Sequence, residues 1–149
     1  MRCAIGADAV GPLTDAILAD LERRGITVER FGALRSARPL NDPDDGWASV
    51  GRAVGETVAR GGADVGIVCC WTGTGISIAA NKVRGVRAAL CSDAATAAGA
   101  RKWNDANVLA LSLRATAPAV AAEILDAFLE TGVSDDPADR REIDSAETP

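Results

Sequence analysis

Apolar positions along the chain follow two alternating spacings. Five short apolar runs predict strands at residues 1–7, 26–31, 63–70, 86–91 and 107–112. Between them, apolar residues recur three and four positions apart, which predicts helices over 12–24, 47–60, 93–103 and 117–130 and a short helix ending at Lys82. Residues 32–46 are rich in Gly, Pro, Asp and Arg and are predicted to form a loop.

This alternation predicts a single α/β domain over residues 1–131, a Rossmann-like three-layer αβα sandwich around a five-stranded parallel sheet. Residues 132–149 are acidic and nearly free of large apolar side chains, so we expect an extended or frayed C-terminal arm. In parallel sheets, ligands bind beyond the carboxyl ends of the strands. The pattern therefore indicates residues 6–11, 70–77 and 91–93 as the ligand site.

Charge and hydropathy limit the classes of function. The 149 residues include 16 basic and 21 acidic side chains, which gives a formal net charge of −5. This argues against a nucleic-acid-binding surface, which needs clustered Lys and Arg. No apolar stretch is long enough to span a bilayer and no secretory leader precedes the first strand, so we expect a cytoplasmic protein without a membrane partner.

The side chains available for acid–base chemistry are limited, because the chain contains no His. None of the four Cys residues has the CxxC spacing of a zinc site, so no metal site is expected. Cys69 and Cys70 are adjacent in one predicted strand and should point to opposite faces of the sheet. Proton transfer must therefore use Cys, Asp, Glu, Lys or an activated hydroxyl group.

The clearest chemical motif follows the third predicted strand and contains Cys70, Thr72, Gly73, Gly75 and Ser77. Glycines let backbone N–H groups turn towards an anion, and the amino terminus of the next helix adds positive potential. A thiol beside such a terminus is a usable base or nucleophile, and the same amides can stabilise an enediolate oxygen. The structural alternative is a plain strand-to-helix turn.

Several segments carry a family resemblance. They are CWTGTGISIAANKVRGVRAALC at 70–91, RKWNDANVLALSLR at 101–114, IGAD at 5–8 followed by Gly11, and DPDD at 42–45. In these segments the chain resembles the family of ribose-5-phosphate isomerase B and galactose-6-phosphate isomerase, and the likeness covers nearly its whole length. The resemblance implies an aldose–ketose isomerase that acts through an enediolate on a small hydroxycarbonyl compound, with no metal or other cofactor.

The resemblance also implies roles for individual residues. Cys70 would move a proton between adjacent substrate carbons, while Thr72 and the amides from Gly73 to Ser77 polarise the substrate oxygens. Asp8 and Asn104 would hold hydroxyl groups. Family members are dimers or tetramers, so we expect a homodimer or homotetramer in which the neighbour's C-terminal arm completes each site.

Two arginines match retained family positions, Arg114 and Arg141. A guanidinium group binds phosphate or carboxylate with two hydrogen bonds, so both are expected to hold an anionic part of the substrate. Arg141 would do so from the neighbour's arm. The alternative for each is a solvated surface charge.

Four positions depart from the family pattern. Ala9 replaces a phosphate-contacting His, Trp71 replaces a Gly, Trp103 replaces the His that opens a cyclic sugar, and Pro137 replaces an Arg of the arm. The indole N–H of Trp103 only donates a hydrogen bond, so it cannot replace an imidazole in ring opening. We expect Ala9, Trp71 and Trp103 to shape a smaller, more apolar pocket for an open-chain sugar or sugar phosphate. The alternative is that both Trp side chains lie in the core.

Three classes of function remain open at this point. The first is the isomerase just described. The second is an epimerase or tautomerase of a biosynthetic pathway, which would use the same proton transfer. The third is a non-catalytic subunit of a hetero-oligomeric sugar-phosphate isomerase. Retention of Cys70, Thr72 and Asn104 argues against the third class, and the absence of His argues for it.

Overall fold

A computed structural model describes residues 1–36 and 42–147, so part of the predicted loop at 32–46 lies outside the described residues. The elements in chain order are β1 (Arg2–Ala7), α1 (Pro12–Arg23), β2 (Thr27–Gly32), a 3-10 turn (Pro43–Asp45), α2 (Trp47–Ala59), β3 (Val65–Cys70), α3 (Thr74–Asn81), β4 (Ala88–Leu90), α4 (Ala94–Asn104), β5 (Val108–Ser112), α5 (Pro118–Glu130) and α6 (Pro137–Glu147).

The strands form one parallel sheet in the order β2-β1-β3-β5-β4. All six residues of the central strand β3 are buried, as its continuous apolar run predicted. One core cluster packs α1, α4 and α5 on one face of the sheet, and a second packs α2 and α3 on the other. The predicted three-layer α/β fold with a five-stranded parallel sheet is confirmed.

Close packing of α2 against α3 fixes the position of α3. A methyl group at Gly51 of α2 would lie 2.6 Å from the carbonyl oxygen of Ile76 in α3. A side chain there would push the two helices apart, because a tightly packed interior has no free volume. The glycine therefore lets α3 lie close to α2 at the end of β3.

The C-terminal arm differs from the sequence prediction, because residues 137–147 form the helix α6 instead of an extended or frayed segment. Asp136 accepts a hydrogen bond from the Ala138 N–H, and Pro137 occupies the first helical position, which together start a helix. The buried side chain of Ile143 and an ion pair between Arg87 and Glu147 hold α6 against its own subunit.

The described residues 1–36 and 42–147 contain no helix that is both long enough and apolar enough to cross a membrane.

Candidate active site

The carboxyl ends of β1, β3 and β5 bring most of the predicted site residues to one edge of the sheet. Asp8 follows β1, Cys70 ends β3, and Arg114 follows β5. Backbone hydrogen bonds connect these ends, from the Asp8 N–H to the Cys69 carbonyl (3.4 Å) and from the Arg114 N–H to the Trp71 carbonyl (3.1 Å). Cys70 thus lies at the edge that the alternation of elements indicated.

A left-handed turn at Gly73 joins Cys70 to α3. Gly73 has a φ of 75°, and its N–H donates to the Cys70 carbonyl at 3.1 Å. A Cβ atom at Gly73 would lie 2.5 Å from Cδ1 of Leu90 and 2.9 Å from the carbonyl carbon of Leu111. Both the backbone conformation and the lack of space therefore require glycine. The turn allows α3 to begin only a few residues beyond Cys70.

The first turn of α3 presents backbone N–H groups beside Cys70. The Ser77 N–H donates to the Gly73 carbonyl at 3.2 Å, but the earlier amides of a helix have no partner within it. The hydroxyl oxygen of Thr72 approaches the Thr74 N–H at 3.4 Å. The Gly75 amide belongs to the same turn, where the helix dipole favours negative charge. These groups can hold an oxygen on which negative charge develops.

The chain's four thiols have different environments. Cys69 packs on the α1, α4 and α5 side of the sheet, whereas Cys70 packs on the α2 and α3 side at the start of α3. Burial raises the pKa of Cys3 to about 12 and that of Cys91 to about 11. Burial, with smaller contributions from Cys70 and Asp8, raises the pKa of Cys69 to about 12. Of the four, Cys70 is the thiol that ends the central strand and is followed directly by the turn into α3.

Asp8, Ala9 and Trp71 border the same edge of the sheet. Burial raises the pKa of the half-buried Asp8 carboxyl above its usual value, and a hydrogen bond with its own backbone N–H opposes this change. Ala9 is exposed, and the Trp71 side chain is 64% exposed. Trp71 is therefore exposed directly after Cys70, and the alternative of a core position is wrong for it.

An open cleft of about 470 Å³ lies beside the turn and is lined by Thr72 and Arg114. Ser112, which also lines it, donates from its hydroxyl to the Trp71 carbonyl at 2.9 Å and so links the end of β5 to the turn after β3. Arg114 is exposed. The cleft can therefore accept an anionic group close to the candidate reaction centre.

Three predicted site residues, Trp103, Asn104 and Arg141, lie away from this edge. Asn104 ends α4, which runs back to the amino edge of the sheet before β5 begins. In the register of β3 and β5, Cys70 pairs with Ser112, the last residue of β5. Asn104 precedes β5, and the strand from Val108 to Ser112 spans about 13 Å, so Asn104 lies more than about 13 Å from the level of Cys70 along the strand direction. Within one chain, Trp103 and Asn104 are therefore not grouped with Cys70, while the contribution of Arg141, which is expected from the neighbour's arm, stays a prediction.

Asn104 instead lines a separate cleft of about 590 Å³ together with the end of α6. Arg141 is an exposed residue of α6, the helix that packs against α4. Trp103 is 53% exposed, and its ring lies against Gly99 one turn earlier in α4. Trp103 thus lies neither in the core nor beside Cys70 of its own chain.

Sequence analysis missed one residue of the Cys70 edge, Trp47, which it placed only at the start of a helix. In the structure the Trp47 ring lies against Gly75 in the first turn of α3. The contact joins residues that are far apart in the chain, so no local motif indicates it.

In the described part of the chain, no three His, Cys, Asp or Glu side chains are grouped so as to hold a metal ion.

Comparisons with known proteins agree with the geometry. The model of the ribose/galactose isomerase family matches residues 3–145. The galactose-6-phosphate isomerase subunit LacB of Clostridium acetobutylicum is 49% identical over 87% of this chain and 72% of its own length. The D-erythrulose-4-phosphate isomerase of Pectobacterium atrosepticum is 38% identical over 87% of this chain and 83% of its own length. The solved structure of the type B ribose 5-phosphate isomerase of Trypanosoma brucei superposes with a TM-score of 0.86 at 40% identity, over 98% of this chain and 96% of that one.

We predict that Cys70 is alkylated before the other thiols. A pKa of about 12, as for Cys3 and Cys69, or of about 11, as for Cys91, leaves at most about one thiol in a thousand ionised at pH 8, and only the thiolate reacts, whereas the amino terminus of α3 beside Cys70 favours a thiolate there. Iodoacetamide treatment of the folded protein at pH 8, followed by peptide mass spectrometry, should therefore label Cys70 first. Faster labelling of Cys3, Cys69 or Cys91 would contradict this account of the site, and Cys70→Ala should remove the fast phase.

Proposed function

The chain belongs to the ribose/galactose isomerase family and is an aldose–ketose isomerase, and we propose that Cys70 is the residue that moves the proton in its reaction. The observation that carries this proposal is the position of Cys70, at the end of the central strand and beside the first-turn amides of α3. Proton abstraction beside a carbonyl group requires a base next to oxyanion donors, and this arrangement supports the proposal that Cys70 and these amides supply them.

The reaction can be followed atom by atom. The Cys70 thiolate removes a proton from the carbon next to the substrate carbonyl, and the electron pair moves onto the carbonyl oxygen to form an enediolate. The amides around Gly75 and the Thr72 hydroxyl stabilise the charge on that oxygen. The thiol then returns the proton to the neighbouring carbon, while a proton passes between the two oxygens. Asp8 holds a hydroxyl group of the substrate in this scheme.

The preferred substrate is a short, open-chain sugar phosphate. The chain has no His, and the indole of Trp103 cannot accept the proton that must be moved when a sugar ring opens. A four-carbon sugar phosphorylated at its terminal oxygen has no free hydroxyl that can close a five-membered ring. The likeness to a D-erythrulose-4-phosphate isomerase supports this choice. Arg114, in the cleft beside Thr72, is placed to bind the phosphate.

We also propose that each site is shared between two copies in a homodimer or homotetramer. Cys70 and Asn104 lie at opposite edges of the sheet, so one chain cannot place both on a single small substrate. In a two-fold dimer, the amino edge of one copy can meet the carboxyl edge of the other, which forms two equivalent sites. Trp103, Asn104 and Arg141 would then reach the Cys70 of the second copy.

The expected cytoplasmic location of the protein remains a prediction.

A second candidate function is that of one subunit in a hetero-oligomeric isomerase. The absence of His favours it, as does the likeness to a protein named as a subunit of galactose-6-phosphate isomerase. The two candidates differ in a simple observation. The purified chain turns over substrate by itself under the first proposal, and needs a different chain under the second.

We predict that ribose-5-phosphate is a poor substrate. Its kcat/KM should be about a hundredfold or more below that for D-erythrulose-4-phosphate, because positioned acid–base catalysis of ring opening contributes at least that factor. Initial rates with both substrates measure the ratio. Trp103→His, which supplies an imidazole, should raise the efficiency with ribose-5-phosphate and change that with the four-carbon sugar little. If the unmodified chain prefers ribose-5-phosphate, the proposed role of Trp103 is wrong.

We predict that two inactive variants restore each other's activity. Cys70→Ala and Asn104→Ala damage opposite halves of a shared site, so a mixed dimer contains one intact site and one doubly altered site. After subunit exchange in an equal mixture, about a quarter of the wild-type activity per chain should return. Two distinguishable affinity tags verify that mixed dimers have formed. Verified mixed dimers without activity would show that the two residues do not serve a shared site.

A further inference from the structure

Trp47 remains without a role in the proposed reaction, although its ring borders the candidate site. It is the first residue of α2, and its side chain is 46% exposed. A methyl group at Gly75 would lie 3.0 Å from both Cδ2 and Cε3 of Trp47 and 3.3 Å from Cε2. These atoms lie at and beside the fusion of the two indole rings. The face of the indole therefore covers Gly75, in the turn that presents the oxyanion amides.

The packing of α2 against α3 explains why the ring is found there. Trp47, Gly51 and Gly55 are four residues apart, so they share one side of α2. Gly51 approaches Ile76, and Gly55 approaches the end of α3 near Val83. Trp47 continues this contact line to the amino terminus of α3. The indole is thus placed at the one end of the helix interface that opens onto the candidate site.

The segment before Trp47 holds it in a defined position. The Asp42 carboxylate accepts a hydrogen bond from the Asp44 N–H at 2.9 Å. The Arg35 guanidinium donates to Asp42 at 2.6 Å and to Asp45 at 3.0 Å. Asp45 is buried and lies two residues before Trp47. The indole is therefore attached to a fixed turn, which suits a side chain that limits the shape of a site.

We infer that Trp47 is a specificity-determining residue that limits the length of the carbon chain accepted at the first turn of α3. The inference rests on the proposed function and deepens it. The indole packs on Gly75 and is partly exposed, so a substrate oxygen bound at the Gly75 amide would lie next to the ring, which would leave less room there for a longer carbon chain. An additional carbon would also press its hydroxyl against an apolar ring that offers no acceptor, and so would lose hydration without replacement.

The test compares two ketose phosphates, D-erythrulose-4-phosphate and D-ribulose-5-phosphate, which differ by one carbon. Neither has a free hydroxyl that can close a five-membered ring, so ring opening does not affect the comparison. Trp47→Ala should raise the five-carbon to four-carbon ratio of kcat/KM by about tenfold or more, the smallest change expected for one carbon in a fitted pocket. Trp47→Phe, which keeps an aromatic ring over Gly75, should stay near the wild-type ratio.

A purely structural role of Trp47 would lower both efficiencies together and would leave their ratio unchanged. A ratio in folded Trp47→Ala within about twofold of wild type therefore overturns the inference, since size selection in pockets exceeds that factor. Circular dichroism and thermal unfolding establish that the variant is folded. If it is not, Trp47→Leu is measured in the same way, with the same two outcomes.

Failure of the proposed function gives a different result. If the wild-type chain turns over neither ketose phosphate, or if Cys70→Ala keeps its turnover, the proposed function fails and the inference about Trp47 fails with it. An active wild-type chain that depends on Cys70, combined with an unchanged ratio in Trp47→Ala, overturns the inference alone.

Discussion

At Gly73 the chain must pass from a strand buried on both faces into a helix within a few residues, and the rest of the site depends on that turn. The left-handed conformation and the nearby atoms of Leu90 and Leu111 leave room only for glycine. Because the turn is so short, the first-turn amides of α3 lie beside the last residue of β3, which is Cys70. The close contact of Gly51 with Ile76 then holds α3 in this place. A base and the donors for an oxyanion are therefore positioned by elements of the core.

The same topology explains why one chain holds only part of the predicted site. In a parallel sheet every strand ends at one edge, and the following helix returns the chain to the other. Residues that directly follow strands gather around Cys70, whereas Asn104, at the end of a helix, reaches the opposite edge. A site that uses both groups needs a second copy, and the substrate would be enclosed where the copies meet. Such enclosure also excludes water from a reactive enediolate.

Much of the fold could be predicted from the sequence, because the apolar runs of β1, β3 and β5 are continuous and the helices between them are periodic. The carboxyl-edge position of Cys70 followed from the same alternation. The acidic composition of residues 132–149 predicts an extended or frayed arm, but Asp136 and Pro137 start the helix α6, so this local helix-start signal outweighs the composition. The contact of Trp47 with Gly75 could not be predicted, since it depends on how two helices pack. The separation of Asn104 from Cys70 follows from the order of elements, because Asn104 ends a helix and Cys70 ends a strand.

The central claim, that Cys70 moves the proton, is tested most directly by the isomerisation of D-erythrulose-4-phosphate in heavy water. Deuterium uptake at the reacting carbon and turnover are measured together for the wild type, Cys70→Ala and the matched variant Cys69→Ala. Cys69 lies on the opposite face of the same strand and is fully buried, so its variant should be less stable but should still exchange. The account predicts that Cys70→Ala keeps its fold and loses exchange and turnover by about a hundredfold or more. Wild-type exchange in folded Cys70→Ala would contradict the account.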